Sequence, residues 1–198
     1  MKTLAITGGI ACGKSLVGRM LQDWGIPVCE ADELGHALLE KSSPIYAEVT
    51  AEFGSQILDA NGGIDRARLG REIFADDEKR IRLNRLIHPR IHRLWTDWLA
   101  VKEAGGAPMS AVIIPLMYEV GLDEQWSAVL CVAAPRAEQA ERMRLRGWTD
   151  EDAAARLRAQ WPLEVKMERA DFVIYNGGTV EAVSEQLDRV LKTFLGEH

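Results

Sequence analysis

Apolar residues cluster in five short runs, at 3–7, 27–30, 111–115, 128–132 and 171–175, each rich in Val, Ile or Leu and too short to be a helix. The stretches between them carry a period near 3.6. After the first run, Leu16, Val17, Met20, Leu21 and Trp24 form one stripe. Near the end of the chain Thr179 is placed to cap a helix with Val180, Val183, Leu187, Val190, Leu191 and Phe194 on one side. Buried strands alternating with helices predict right-handed crossovers and an α/β fold whose parallel, five-stranded sheet is covered on both faces.

Two stretches break the alternation. From about 33 to 108 no strand pattern appears, only helical segments opened by Ser43-Pro44, by Asp65 and by Asp76-Asp77, the last expected to precede His88-Pro89. This region reads as a helical insertion. The second stretch, 136–170, is also helical and holds Arg136, Arg142, Arg144, Arg146, Arg156, Arg158, Lys166 and Arg169, with a capping box at Thr149–Asp152. Gly105-Gly106-Ala107-Pro108 is the clearest loop.

Composition narrows the class. The 198 residues, 47% hydrophobic and 27% charged, suit one main core. A net charge of −6 argues against general binding to nucleic acid or an anionic membrane. Cys12, Cys29 and Cys131 lie far apart and form no Cys-x-x-Cys pair, so neither a disulfide framework nor a zinc ribbon is indicated. With no signal peptide and no membrane-length apolar run, the chain reads as cytoplasmic. Nothing in the sequence sets an oligomeric state.

The strongest chemical signal is Gly8-Gly9-Ile10-Ala11-Cys12-Gly13-Lys14-Ser15, a G-x-x-x-x-G-K-S phosphate loop between the first strand and the first helix. Glycines let the backbone turn its N–H groups towards phosphate, with the helix dipole behind them. Lys14 is expected to bridge the β- and γ-phosphates, and the Ser15 hydroxyl to hold Mg²⁺. Asp32 ends the second strand's Glu30-Ala31-Asp32, on the rim where open α/β sheets bind ligands. A carboxylate there can take a hydroxyl proton, bind Mg²⁺, or cap the following helix. Arg142 and Arg146, four residues apart, share a helical face suited to a transferring phosphoryl group. His88 and His92 share the same spacing but lack a third metal ligand, and most of the six tryptophans read as packing residues.

In their order along the chain these motifs resemble the dephospho-CoA kinase family, nearly end to end. Thr7 to Ser15 is similar to that family's T-G-G-I-x-S-G-K-S, and Glu30-Ala31-Asp32 to its D-A-D. Leu86-Ile87-His88-Pro89 resembles L-x-H-P, Pro115-Leu116-Met117-Tyr118-Glu119 resembles P-L-L-x-E, and Ala170-Asp171 through Asn176 resembles A-D-x-x-I-x-N. Arg142 with Arg146, and Gln160, match its lid.

The resemblance implies a P-loop three-layer sandwich in one domain: a core of 1–32, 109–135 and 171–198, a helical acceptor-binding insertion at 33–108 and a helical lid at 136–170. It implies transfer of phosphate from ATP, with Mg²⁺, to the ribose 3′-hydroxyl of dephospho-CoA. On that reading Asp32 is the base, Lys14 and Ser15 hold phosphate and Mg²⁺, Leu16 and Arg142 adjoin ATP, and Asn176 borders the adenine. His88, Pro89 and Glu119 surround the acceptor. Three positions depart from the family pattern. Leu16 stands where many members have a threonine, Cys12 replaces serine and adds a thiol beside the phosphates, and Glu30 replaces aspartate. Two other readings are a kinase of another nucleoside or nucleotide on the same core, and a nucleotide-dependent switch. Asp32-Glu33-Leu34-Gly35 fits a switch motif, but no guanine-reading Asn-Lys-x-Asp accompanies it.

Overall fold

The computed structural model describes residues 1–74 and 76–196. In chain order its elements are β1 (Lys2–Gly8), α1 (Lys14–Asp23), β2 (Val28–Glu30), α2 (Ala31–Leu38) and α3 (Tyr46–Phe53). A short 3₁₀ turn at Ser55–Ile57 leads to α4 (Arg66–Phe74), α5 (Asp77–Ala104), β3 (Met109–Ile113) and β4 (Ala128–Ala133). Then come α6 (Arg136–Leu145), α7 (Asp150–Arg158), α8 (Leu163–Arg169), β5 (Phe172–Tyr175) and α9 (Val180–Leu195). The chain divides into two compact units, Met1–Cys29 with Val101–His198, and Glu30–Ala100.

In the first unit all five expected strands form one sheet in the order β2-β3-β1-β4-β5. β1 is central and pairs in parallel with β3 and β4, Leu4 lying between Ala111 and Ala128. Leu4, Ala5 and Ile6 are fully buried, and every residue of β3 and β4 is buried. That is why these strands read as unbroken apolar runs rather than alternating ones. At the edge, β5 alternates: Ile174 is buried while Val173 and Tyr175 are exposed. α1 and α9 pack on one core with Leu4, Ile6, Leu130, Val132 and Ile174, and α8 packs on β1 and β4. Thr179 caps α9 as its sequence position predicts, its hydroxyl accepting from the Ala182 N–H at 3.2 Å.

Past Glu30, the regular elements among the described residues of the second unit are helices, with an isolated bridge between Leu58 and Ile64. Ile45, Val49, Phe53, Ile57, Leu69, Leu83 and Ile87 form its own core. Asp65 and Asp76 each accept backbone N–H bonds at the helix starts they were expected to mark. The helix expected after Ser43-Pro44 begins at Tyr46. α5 does not stop near His88-Pro89 but runs through Pro89 to Ala104. Proline removes one ladder bond and crowds a carbonyl, yet Leu83, Ile87 and Trp95 are buried on both sides of it, and packing carries the helix through.

Candidate active site

The phosphate loop leaves the central strand at Gly8 and enters α1 at Lys14. Gly8 has φ +140°, and a Cβ there would sit 2.0 Å from the Val132 carbonyl oxygen on the neighbouring strand. Both backbones are fixed by the sheet, so only glycine fits. Overpacking of this kind costs about 3 kcal/mol. Gly8→Ala is therefore expected to lower Tm by about 6–12 °C at this chain length, read by thermal denaturation. Ala11 at φ +56° and Gly13 at φ +99° make the remaining left-handed turns.

The loop's carbonyls are taken up by side chains. Lys14 Nζ donates to Gly9 O at 2.7 Å and Gly8 O at 3.3 Å. Arg142 Nη1 donates to Ala11 O at 3.3 Å, and Asn176 Nδ2 to Cys12 O at 2.9 Å. Arg142 also donates to Asn176 O at 3.3 Å and pairs with Glu138, while the Asn176 N–H is fixed on Ala133 O at 2.7 Å. The residue preceding α1, Gly13, supplies no side-chain cap, and no acidic residue occupies the first turn. α7 and α9, by contrast, are capped by Thr149 and Thr179. With carbonyls tied back and helix N–H groups uncapped, the loop is arranged to receive an anion.

Ile10 and Ala11 pack with Met143, Trp148 and Ala153 of the 136–170 segment. Arg156 and Arg146 lie 4.5 and 5.8 Å from the Trp148 ring centre. Of the arginine pair expected to share a face, Arg142 reaches the loop and Arg146 stacks on Trp148. A cavity of about 620 Å³ adjoins the loop, lined by Gly9, Ile10, Gln139, Met143, Leu157 and Trp161 among others. Ser15 is exposed at the start of α1, and Leu16 packs against the main core. Leu16 is a packing residue here, with no hydroxyl to offer.

Cys12 is fully buried. Burial raises its thiol above the ordinary value, with Lys14 and Arg142 opposing only in part. Cys131 is pushed up to about 12, first by burial and then by Cys12. A protonated, covered thiol is a poor nucleophile. Iodoacetamide at pH 7.5 is expected to label Cys12 at least tenfold more slowly in the folded protein than in denaturant, as read by peptide mass spectrometry.

Glu119 follows β3 in the segment 115–119. Its Oε1 lies 2.7 Å from Lys166 Nζ and accepts the Trp161 N–H at 2.7 Å. Lys166 is wholly buried and also donates to Pro115 O at 2.8 Å. Trp161 stacks on Tyr118 at 6.1 Å, and Arg169 lies over both rings while pairing with Asp123 at 2.8 Å. The sequence alone gives Lys166 as one of the basic residues of the 136–170 stretch. Its spacing from Leu163 and Met167, on one stripe of α8, is the signal that it turns inward.

In the second unit, Asp32 is the second residue of α2 and exposed, immediately after the end of β2. It is not the cap of that helix: Glu30 precedes the first turn. α2 rests on α5 where Gly35 approaches Ile91. His88 and Pro89 lie on α5, and burial lowers the His88 pKa, favouring neutral imidazole. The structure thus gathers residues 8–16, Arg142 and Asn176 at one loop, places Glu119 with Lys166, and sets Asp32, His88 and Pro89 in the second unit.

A five-stranded parallel sheet in this order, with helices on both sides and a phosphate loop leaving the central strand, defines a P-loop kinase. A Thermus thermophilus protein of known crystal structure, 36% identical, superposes with a TM-score of 0.82 over 99% of this chain and 97% of its own. The dephospho-CoA kinase of Campylobacter jejuni, 25% identical, superposes with a TM-score of 0.70 over the full length of both. The family model for dephospho-CoA kinase matches residues 2–182, and the chain belongs to that family. The dephospho-CoA kinase of Geobacillus kaustophilus is 43% identical across 96% of this chain and 95% of its own, and that of Anaeromyxobacter dehalogenans 41% across 99% and 93%.

Proposed function

We propose that the protein transfers the γ-phosphoryl group of ATP to the ribose 3′-hydroxyl of dephospho-CoA, giving CoA and ADP, the last step of coenzyme A synthesis, in the cytoplasm. The observation that carries this is the near-complete family match, with the phosphate loop at its start. The Gly8–Ser15 loop binds the phosphates through its backbone, and Lys14 turns from the Gly8 and Gly9 carbonyls to the β- and γ-oxygens. Arg142 and Asn176, which already hold the loop, border the nucleotide. Asp32 accepts the proton of the attacking 3′-hydroxyl as its oxygen bonds to phosphorus and the bond from phosphorus to the leaving ADP oxygen breaks. The 136–170 segment acts as a lid that excludes water, a competing acceptor. The insertion takes dephospho-CoA, with His88, Pro89 and Glu119 around it.

The exposed Ser15 hydroxyl and the Asp32 carboxylate are hard oxygen donors of the kind Mg²⁺ accepts alongside phosphates. Mg²⁺ held by either donor would neutralise charge on the phosphates.

Mass spectrometry of dephospho-CoA incubated with the protein, ATP and Mg²⁺ should show one added phosphoryl group. A coupled ADP-release assay should favour dephospho-CoA clearly over adenosine or AMP. Hydrolysis of GTP without transfer to any acceptor would establish the switch reading instead.

A further inference from the structure

Every residue lining the cavity of about 620 Å³ beside the phosphate loop belongs to the first unit. Arg136, Gln139, Ala140 and Met143, at i, i+3, i+4 and i+7, turn one face of α6 to it, and Leu163 and Met167 of α8 stand among its other walls. Arg142, which reaches Ala11 O and Asn176 O, stands about a third of a turn away on α6. The face of α6 that grips the loop and the face that lines the cavity are therefore different surfaces. Pockets that take small ligands run to about 300–1,000 Å³, so the volume is that of a ligand site rather than of a packing flaw.

The lining indicates which ligand. Met143 and Met167 bring thioethers, and Leu157 and Trp161, 45% and 39% exposed, bring apolar surface that the protein leaves uncovered. Exposed apolar groups gathered on one cavity mark a binding surface where scattered ones do not. One buried polar group joins them. Gln139 is only 7% exposed; its Nε2 donates to Ala134 O at 2.8 Å, while its Oε1 accepts no hydrogen bond among the described residues. A Cβ on Gly9 would lie 3.3 Å from that oxygen and 3.4 Å from Leu163 Cδ1, which sets Oε1 in the cavity wall between the loop and α8. The unbonded oxygens of Tyr118 and Glu119 are sealed in; Gln139 Oε1 is unbonded but not sealed. Acceptors this deep rarely lack a donor, and the open side here is the cavity.

We infer that this cavity is a binding site for a small fused-ring aromatic molecule carrying one N–H or O–H donor, separate from the places of both substrates. The ring lies against the two thioethers and the Trp161 indole, contacts that favour an aromatic ligand over an aliphatic one. The donor goes to Gln139 Oε1. Gly9 and Ile10 belong to the cavity wall and to the phosphate loop at once, so an occupant bears on the loop without taking the place of the phosphates. The inference stands whether or not dephospho-CoA is the acceptor.

The probes are indole and 1-methylindole, the same ring without the donor, titrated by NMR into protein carrying ¹³C at its methionine methyl groups. Indole is expected to shift Met143 and Met167 with a Kd below about 1 mM, leaving Met1, Met20, Met109 and Met117 unmoved. 1-Methylindole is expected to bind at least threefold more weakly, for want of one hydrogen bond. In Gln139→Leu that preference should disappear, and in Ala140→Phe, whose ring fills the cavity, indole should bind at least tenfold more weakly. Thermal denaturation checks that both variants fold; should Gln139→Leu not fold, Ala140→Phe and the two probes on wild type decide. The titration is repeated with saturating Mg²⁺ and a non-hydrolysable ATP analogue, then with dephospho-CoA, and the Kd for indole is expected to stay within threefold. A larger loss with either ligand assigns the cavity to a substrate and overturns the inference. So do an absence of shifts, shifts spread over all six methionines, equal binding of the two probes by wild type, a preference kept in Gln139→Leu, or undiminished binding by Ala140→Phe.

Discussion

Replacing Lys14 with alanine is expected to lower kcat by about 10²–10³, the range found when a preorganised donor to developing charge is removed. The ammonium has two tasks. Donating to Gly9 O and Gly8 O, it braces the loop. On the proposed function it moves in the reaction to the phosphoryl oxygens, where charge accumulates on transfer. Losing the first task costs stability on the scale of a charged hydrogen bond, about 1.5–3 kcal/mol, and shows in Tm. Losing the second shows in turnover and ATP affinity. A Lys14→Ala variant measured well below its Tm, at saturating ATP, isolates the second effect. Turnover within threefold of wild type would remove Lys14 from the transfer step and undercut the phosphate-loop reading.

The sheet was legible because its strands are buried on both faces. Runs such as 111–115 and 128–132 could hardly be anything else once the intervening segments showed a helical period. The phosphate loop was legible for a different reason: its constraints are local, and the clash at Gly8 with Val132 O or the left-handed Gly13 fixes the residue type directly. Pro89 misled because local propensity opposes helix there, while Leu83, Ile87 and Trp95 decide the matter by packing. Lys166 was missed because its partner lies 47 positions earlier in the chain, across β4 and two helices. A lysine in an arginine-rich segment looks solvated until the carboxylate that neutralises it is found. Cys12 belongs to the same class. Its sequence position puts a thiol beside the phosphates but does not set its reactivity, which depends on the residues above it, and complete burial leaves it protonated.

Asp32→Asn is expected to cut kcat by about 10²–10⁴, the usual contribution of a general base, with little change in stability. The side chain is exposed in the first turn of α2 and does not cap it, so asparagine, nearly the same shape, disturbs the backbone little. It also forfeits the modest attraction between a carboxylate and the helix N-terminus. The pH profile separates this role from binding. A carboxylate base works only when ionised, so wild-type kcat should fall towards acid pH. That acid limb should vanish in the variant, whose residual rate has no such group to protonate. KM for ATP should stay within twofold, because on the proposed function the nucleotide is held by the loop between Gly8 and Ser15. If instead the variant retains turnover within tenfold of wild type, or loses ATP binding while keeping the acid limb, Asp32 is not the base and the proton leaves by another group. Alanine at the same position is the companion measurement. If it matches asparagine, the carboxylate charge is what matters; if it falls much further, Asp32 also orients the hydroxyl by hydrogen bonding, a task asparagine can partly perform.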